Sequence, residues 1–445
     1  MGVSETGECN IALVGCGTVG GAVAQILTGQ AEHLTERAGV SLRLRAIVDV
    51  DFTHARALNL DEQLFCGDLA EALSRHPVDV VVELIGGTTA ARDVVTTALR
   101  AGKAVVTANK ALLAHHGPEL WALARRQETC IGFEASCGGA IPIIAALTDQ
   151  LAADRVEALY GILNGTCNYI LTAMTQHGQT YAEALADAQR RGLAEADPTL
   201  DVTGTDSAHK LTILASLAFA RRIDLEKVYV EGIDQLQIQD VRYGQELGYV
   251  IKLLAIARRQ PEGLSLRVHP AFISTRHPLA RVSGAFNAVS VYADNSGHTM
   301  YYGRGAGGRP TAAAVVGDIV SIALGNTGRR FRQLDIWPDR CPPAEQLDIR
   351  SVRCRYYLRL QVADRPGVLG TIAKVLGDHD ISISSVLQHE PRTGEDTRGV
   401  PVVITTAEAL QADLDAALNI INNHPTVKAP CVCIRMVQEH PENAE

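Results

Sequence analysis

Apolar residues in the first part of the chain come in short, nearly unbroken runs. Residues 10–15 (NIALVG), 42–50 (LRLRAIVDV), 78–85 (VDVVVELI) and 104–107 (AVVT) read as strands, and residues 18–27 read as a helix after the first of them. Unbroken runs predict strands covered on both faces, and strands separated by helical stretches predict parallel βαβ units. After about residue 132 the pattern changes. Residues 156–163 are strand-like, residues 181–192 (YAEALADAQRRG) read as a helix with a Gly stop, and residues 206–220 read as a helix with Leu211, Ile213, Leu214, Leu217 and Ala218 as its apolar positions. Residues 303–324 begin Gly-rich, become helical and are expected to pack back on the first domain.

Residues 337–347 (WPDRCPPAEQL) are polar and Pro-bearing and read as a linker. Beyond them lies a small module, about 353–437, with a strand, a helix (367–376), strands at 382–388 and 400–405, a helix (409–422) and a strand (431–436). That βαββαβ order is the ferredoxin-like arrangement. The expected fold class is therefore α/β in three parts. A Rossmann-type doubly wound parallel sheet spans 1–132 and is completed by about 303–335. A mixed α/β domain spans 133–302, and the ferredoxin-like module follows. No internal repeat is visible.

Composition narrows the class. The 445 residues are 47% hydrophobic and 20% charged, enough to bury large cores. A net charge of −9 without a basic stripe argues against a nucleic-acid partner. The N-terminus lacks a basic and apolar leader pattern, and no apolar run reaches a membrane span, so the expectation is a cytoplasmic protein with no membrane partner. The ten cysteines are irregularly spaced, with no C-x-x-C pair. Cys16, Cys137, Cys167 and Cys354 sit inside apolar or motif segments, and Cys431 and Cys433 flank one residue. Small buried side chains in a reducing compartment explain them better than zinc or disulfides.

The first strand runs into Gly15-Cys16-Gly17-Thr18-Val19-Gly20 and then a helix. G-x-G-x-x-G in that setting cradles a dinucleotide pyrophosphate. Gly15 permits the tight turn, Gly17 lets the backbone approach the phosphates, and Gly20 lets helix and strand pack closely. Asp49 closes the second strand, where a carboxylate can bond the adenosine ribose and repel a 2′-phosphate. It lies beyond the usual offset, because a polar stretch at 30–39 intervenes. Asp49 leans toward NAD, Arg56 could still reach a phosphate, and the NAD or NADP preference stays open. Asp51 reads as solvated loop.

Other candidate chemistry clusters in three places. Lys110 follows the fourth strand, at the carboxyl edge where open α/β sheets bind ligands. Asp206 and Lys210 are four apart on one helix and share a face, with Glu195 and Asp201 on the Pro-containing loop before it. Alone, Asp206 and Lys210 would be an ordinary surface ion pair. Together, three carboxylates and an ammonium can bind an amino group and handle a proton. Glu134 precedes a Gly-rich loop that can turn several carbonyl oxygens toward one point, which makes either a hard-cation site or a plain turn.

At this point the sequence resembles homoserine dehydrogenases along nearly its whole length. The matching stretches are VELIGGTTAAR (82–92), AGKAVVTANKALLA (101–114), FEASCGGAIPII (133–144), GILNGTCNYIL (161–171), RGLAEADPTLDVTGTDSAHKL (191–211) and YGRGAGGRPTAAAVVGDI (302–319). No aspartokinase segment precedes them, so the form implied is monofunctional. The resemblance implies NAD(P)H-dependent interconversion of L-aspartate 4-semialdehyde and L-homoserine, in threonine, methionine and isoleucine biosynthesis. It implies that Lys210 donates a proton to the forming alcohol with help from Asp206, and that Lys110 lies beside cofactor and substrate. Glu195 binds the substrate amino group, with Asp201, Thr166 and Gly165 lining the pocket. The cofactor residues implied are Gly15, Gly17, Thr18, Val19, Gly20, Asp49, Thr88, Lys110 and Gly305. A monovalent cation, Na+, is implied on Glu134 and the main-chain oxygens of Cys137, Gly139 and Ile141.

The C-terminal stretches YYLRLQVADRPGVLGTIAKVL (356–376) and ISISSVLQ (381–388) resemble an ACT domain. That implies an amino-acid effector, L-threonine, at Asp364, Gly367 and Leu369, and a homodimer or homotetramer. Where that family often carries a His, this chain reads TTAEAL (405–410). The rivals are another ACT-bearing dehydrogenase, which would show a catalytic His beside a carboxylate, and a non-catalytic amino-acid sensor on the same fold. Lys110, Glu195, Asp206 and Lys210 argue against both.

Overall fold

The computed structural model describes residues 7–389 and 399–437. The chain forms two compact units. One comprises Met1–Gly165, Thr205–Val228 and Ala285–Ala344, and the other Thr166–Gly204, Tyr229–Gly284 and Glu345–Glu445. The 133–302 stretch contributes to both.

In the first unit six parallel strands form one sheet. They are β1 (Glu8–Val14), β2 (Ser41–Val48), β3 (Phe65–Cys66), β4 (Val80–Glu83), β5 (Ala104–Thr107) and β6 (Ile131–Gly132), in the order β3-β2-β1-β4-β5-β6. This is the doubly wound order, with its switch point between β1 and β4, where ligands bind at the carboxyl ends. Ile11, Ala12, Leu13 and the Val80–Val82 run are all buried, which explains their unbroken apolar sequence. The Thr18–Gly29 helix follows β1, and the Gly308–Ala323 helix packs against it. At Gly308 a β-carbon would lie 3.1 Å from Thr18, so glycine keeps that approach close. The polar 30–39 stretch contains a helix, Ala31–Ala38, ended by Gly39 in the left-handed region. Its apolar stripe is weak, Ala31, Leu34 and Ala38, and none of its residues is fully buried.

The same unit holds an antiparallel set. After β7 (Val156–Ile162) the chain passes through β8 (Tyr229–Val230), β9 (Tyr249–Gln260) and β10 (Gly263–Ser274), strands of the second unit, to β11 (Phe286–Ala293) and β12 (Gly297–Arg304). β11 pairs with both β7 and β12. The expected linker is anchored at its start. Trp337 is buried against Trp121, Phe133 and Phe331, and Asp339 pairs with Arg125 at 2.9 Å. Proline and polar residues marked irregular backbone correctly, but irregular backbone can still carry a core residue.

In the second unit β9 and β10 form a long hairpin, and β10 also pairs in parallel with the chain's last strand. The C-terminal module runs β13 (Arg353–Val362), the Val368–Asp378 helix, β14 (Ile383–Leu387), β15 (Val400–Thr406), the short β16 (Ala409–Leu410), the Gln411–Asn422 helix and β17 (Val427–Val437). Its sheet continues from the hairpin in the order β9-β10-β17-β13-β15-β14. Tyr356, Leu358 and Leu360 on β13 pack with Ile372, Leu376, Leu414 and Ile421 from the two helices. On the opposite face of β13, Arg359 and Tyr357 bond to Asp240 of the Ile238–Glu246 helix, at 2.6 and 2.9 Å. The module is therefore built into its unit rather than tethered to it. Among the described residues no single helix is long and apolar enough to cross a membrane. All ten cysteines are free, and seven are buried.

Candidate active site

The Gly loop sits at the switch point. Gly15 has φ +93°, and a β-carbon there would lie 2.8 Å from the Leu84 backbone, which follows β4. At Gly20 a β-carbon would come within 1.9 Å of the Gly15 carbonyl oxygen, so helix and turn can pack only with glycine there. At Gly17 a β-carbon would meet nothing within 4 Å, leaving open space on the side where phosphates approach. Gly17 caps the Thr18–Gly29 helix with no side-chain bond to its first N–H groups, which include those of Thr18 and Val19. This cradle fits a dinucleotide.

Asp49, one residue past β2, faces the same loop. Its carboxylate accepts the Cys16 N–H at 2.6 Å and the Val50 N–H at 2.7 Å. Asp49 thus shapes the turn. Arg56 is engaged with Glu62 at 3.1 Å, and Asp51 caps Thr53 from an exposed loop. Thr88 is half-buried in the loop after β4.

A relay of side chains sets Lys110. Glu83, at the end of β4, is buried and accepts the Thr107 hydroxyl at 2.6 Å and the Ile85 and Gly86 N–H groups. Burial pushes its carboxyl up, and these bonds pull the other way. Thr107 in turn accepts the Asn109 N–H, and Asn109 caps the Lys110–Arg126 helix by accepting the Leu112 N–H. Lys110 opens that helix and brings its ammonium 2.9 Å from Asp206 Oδ1. Sequence reasoning assigned no role to Glu83, although one acid ending an otherwise apolar strand was a usable signal.

Asp206 and Lys210 lie in the first turns of the Thr205–Phe219 helix, and both are buried. Lys210 Nζ donates to Asp206 Oδ2 and to the Leu163 carbonyl, each at 2.7 Å. Asn164 Nδ2 donates to Asp206 Oδ2 at 2.9 Å, and Asn287 Nδ2 donates to the Leu163 carbonyl at 2.9 Å. Burial alone would push the Asp206 carboxyl up. The Lys210 and Lys110 ammonium groups outweigh it and hold the group well below the usual carboxylate range. One carboxylate therefore faces two ammonium groups, an arrangement suited to stabilising and protonating a growing alkoxide. Gly305 backs this cluster, since a β-carbon there would lie 2.0 Å from the Asn287 amide. Gly165 packs on Ala285 in the same way, at 2.9 Å from its carbonyl. Asn164 and Asn287 went unassigned in the sequence. Asn287 is far from Asp206 along the chain, so no local spacing reveals it.

Glu134 is placed differently from a bare ligand. Its carboxylate accepts the Ile144 and Ala145 N–H groups at 2.8 and 2.7 Å, and its own N–H donates to Asp318 at 2.8 Å. Burial pushes Glu134 up to about 7 and Asp318 up to about 8. Gly138 and Gly139 both take left-handed φ, between Cys137 and Ile141. Among the described residues no three His, Cys, Asp or Glu side chains gather as a metal site.

The remaining expected residues belong to the second unit. Glu195 is exposed on its loop, with its carbonyl accepting from Gln189 at 3.2 Å. Asp201 lies not in plain loop but in a short helix, Thr199–Val202, because Pro198 provides the turn into it. Thr166 spends its hydroxyl on the Leu193 carbonyl at 2.7 Å. Asp364 and Gly367 are exposed in the turn after β13, Gly367 with φ +89°, and Leu369 is exposed in the helix that follows.

A dinucleotide cradle and a buried aspartate between two lysines are what a nicotinamide-dependent dehydrogenase needs. The family profiles agree on the parts. The homoserine dehydrogenase NAD-binding domain matches residues 15–134, homoserine dehydrogenase matches 142–320, and the ACT domain matches 356–423. A homoserine dehydrogenase of Neisseria gonorrhoeae is 42% identical over 434 residues, 97% of this chain and 99% of its own. The crystal structure of a homoserine dehydrogenase from Thiobacillus denitrificans superimposes with a TM-score of 0.90 at 41% identity, covering 97% of this chain and 98% of that one. A hyperthermophilic archaeal homoserine dehydrogenase, solved in complex with NADPH, superimposes with a TM-score of 0.61 at 26% identity over 71% of this chain and 98% of that one. The chain belongs to the homoserine dehydrogenase family.

Proposed function

We infer that this chain catalyses the reversible NAD(P)H-dependent reduction of L-aspartate 4-semialdehyde to L-homoserine, a step toward threonine, methionine and isoleucine. The observation that carries this is the buried Asp206 held between Lys110 and Lys210 beside a dinucleotide cradle. The nicotinamide, when bound, supplies hydride to the aldehyde carbon. Lys210 gives a proton to the aldehyde oxygen as charge grows there, and takes it back in the reverse direction. Asp206 holds that ammonium in place, with Asn164 and the Leu163 carbonyl fixing the pair. Lys110, only partly buried, adds positive charge beside the reacting oxygen and the cofactor. Glu195 binds the substrate ammonium, with Asp201, Thr166 and Gly165 around it.

Gly15, Gly17, Thr18, Val19, Gly20, Thr88 and Gly305 form the cofactor's surroundings in this reading. Asp49 leans toward NAD, whereas the archaeal relative was solved with NADPH. What supports a cation at Glu134 is the crowding of two half-buried carboxyls, Glu134 and Asp318, beside a Gly-rich turn. Na+ on Glu134 and the carbonyls of Cys137, Gly139 and Ile141 would offset that charge. The ACT domain takes an amino acid, L-threonine, at Asp364, Gly367 and Leu369. Support for a homodimer or homotetramer comes from β12, a sheet-edge strand that exposes Met300 and Tyr302. Seven buried free thiols suit a reducing, cytoplasmic setting.

The test is consumption of NADH and of NADPH by the purified chain with L-aspartate 4-semialdehyde, beside a 2-oxo acid as control. Turnover confined to the semialdehyde is expected. Turnover of the oxo acid alone would move the chain to another dehydrogenase class, and none with either would favour the sensor reading.

A further inference from the structure

The ACT module grips its own unit through one buried arginine, and that grip leads to the loop assigned above to the substrate. Arg435 lies on β17, opposite Ala271 of β10. Its side chain is buried, at 9% exposure. Arg435 donates to Glu231 at 2.7 Å, to the Tyr229 hydroxyl at 3.2 Å and to Gln411 at 3.0 Å. The Tyr229 hydroxyl donates in turn to Glu231 at 2.9 Å, and the guanidinium sits 4.7 Å over the Tyr229 ring. Gln411 opens the second ACT helix and also accepts the Tyr356 hydroxyl. One guanidinium thus ties a strand and a helix of the ACT module to a single short strap, residues 229–233.

The strap is seated hard on the substrate loop. The Glu231 N–H donates to Val268 at 2.8 Å, which fixes the strap to β10. The Ile233 N–H donates to the Val202 carbonyl at 2.8 Å. Between them Gly232 lies so close that a β-carbon would be 2.4 Å from the Val202 oxygen and 2.8 Å from Thr203 Cα. Gly204 closes the loop with φ +87°, and a β-carbon there would meet Val230 at 3.1 Å and Val268 at 3.2 Å. Nearer its start the Leu193 and Ala194 N–H groups donate to the Ala188 carbonyl, and two side chains add to this, Thr166 on the Leu193 carbonyl and Gln189 on those of Glu195 and Ala196. The strap thus packs on the residues that directly follow Asp201, whose own carbonyl accepts from Cys167 Sγ at 3.1 Å.

We propose that Arg435 is a positioning residue for substrate binding: through Glu231 and Gly232 it seats the loop that carries Glu195 and Asp201. The proposal rests on the reading that this loop meets the substrate. The ACT module is then part of the scaffold of the substrate site even with no effector bound. An effector that shifts β17 has a direct route to substrate affinity, with no need to touch the lysine centre.

The experiment is steady-state kinetics on full-length Arg435→Gln, Glu231→Gln, their double variant and Gly232→Ala, with Glu195→Gln alongside. Arg435→Gln should raise KM for homoserine about fivefold or more, keep kcat within about twofold and leave cofactor affinity unchanged. Gly232→Ala, which leaves every ACT contact in place, should raise KM in the same way. If Arg435 acts through Glu231, the double variant should be no worse than the worse single one. A purely structural role predicts a lower Tm with normal KM in the folded fraction, and that result overturns the proposal. So does a double variant whose effects simply add. Should Arg435→Gln not fold, Gly232→Ala decides alone, a normal KM counting against the proposal. A normal KM in Glu195→Gln would show instead that the reading of the loop is at fault. A raised KM there, with Arg435→Gln and Gly232→Ala normal, would sink this inference only.

Discussion

Lys210→Met is the substitution that most cleanly separates chemistry from folding. It removes the ammonium that touches Asp206 and the Leu163 carbonyl and leaves an apolar chain of similar length. Neither partner is abandoned. Asp206 keeps Lys110 at 2.9 Å and Asn164 at 2.9 Å, and the Leu163 carbonyl keeps Asn287 at 2.9 Å. The stability cost should therefore stay within about 1–3 kcal/mol, since Asp206 keeps one ammonium and one amide beside it. Loss of a positioned general acid costs roughly 10²–10⁴ in rate, or about 3–5 kcal/mol of transition-state stabilisation. The account predicts a folded enzyme with normal cofactor affinity by fluorescence titration and kcat down at least about a hundredfold. It also predicts a change in acid. The Asp206 carboxyl is held down by two ammonium groups against its burial, so its contribution to stability is present above its unfolded value and lost as pH falls. With one ammonium gone the carboxyl takes up its proton at higher pH, and the acid unfolding midpoint should rise. A variant with kcat within about threefold of wild type would remove Lys210 from the mechanism, since no general acid is worth so little.

Asp49→Ser should shift preference from NADH toward NADPH and weaken both, because Asp49 also holds the Cys16 N–H at 2.6 Å; a wild type that already prefers NADPH would show that Asp49 is not the selector. A chain ended at Asp339, which the linker-like sequence would leave active, removes β17 from β10 and strips Arg359 from the buried Asp240. Breaking such a pair costs about 3–5 kcal/mol, so the truncation should lose most activity and melt far lower, and full activity at an unchanged Tm would refute the integrated module. L-Threonine should inhibit the full chain, and Asp364→Ala should blunt the response; a flat titration of wild type would end the effector assignment. Lys252 is buried and bonded to Asn168 and the Val282 carbonyl, and burial brings its ammonium down to about 8. The unfolded chain holds that proton longer, so wild-type stability should gain on Lys252→Met as pH rises from about 8, by up to roughly 3 kcal/mol. Parallel denaturation curves at both ends of that range would contradict the burial argument.

Four of the six parallel strands were legible because they are apolar on both faces, whereas β3 and β6, two residues each, are too short to show a pattern. Residues 104–107 match β5 end for end, and the helix expected at 206–220 is Thr205–Phe219. The long hairpin was not legible. β9 and β10 are buried on both faces yet carry Lys252, Arg267 and His269, so neither alternation nor an unbroken apolar run appears. Trp337 was hidden by the prolines around it, and the Ala31–Ala38 helix by having a single large apolar residue, Leu34. In the site, helical spacing placed Asp206 with Lys210, and strand order placed Lys110 at the sheet's carboxyl edge. Neither could show that one carboxylate would bridge both ammonium groups, or that Asn287 would share the Leu163 carbonyl with Lys210. Those contacts join positions far apart in the chain, which only the packed fold brings together.

The central claim is tested most directly by identifying the product. Wild type and Lys210→Met, each incubated with L-aspartate 4-semialdehyde and reduced nicotinamide cofactor, would be compared for L-homoserine formed per cofactor oxidised. The account predicts stoichiometric L-homoserine from wild type and almost none from the variant, although both bind the cofactor alike. Cofactor oxidation without homoserine in wild type, or equal homoserine from both, would contradict it.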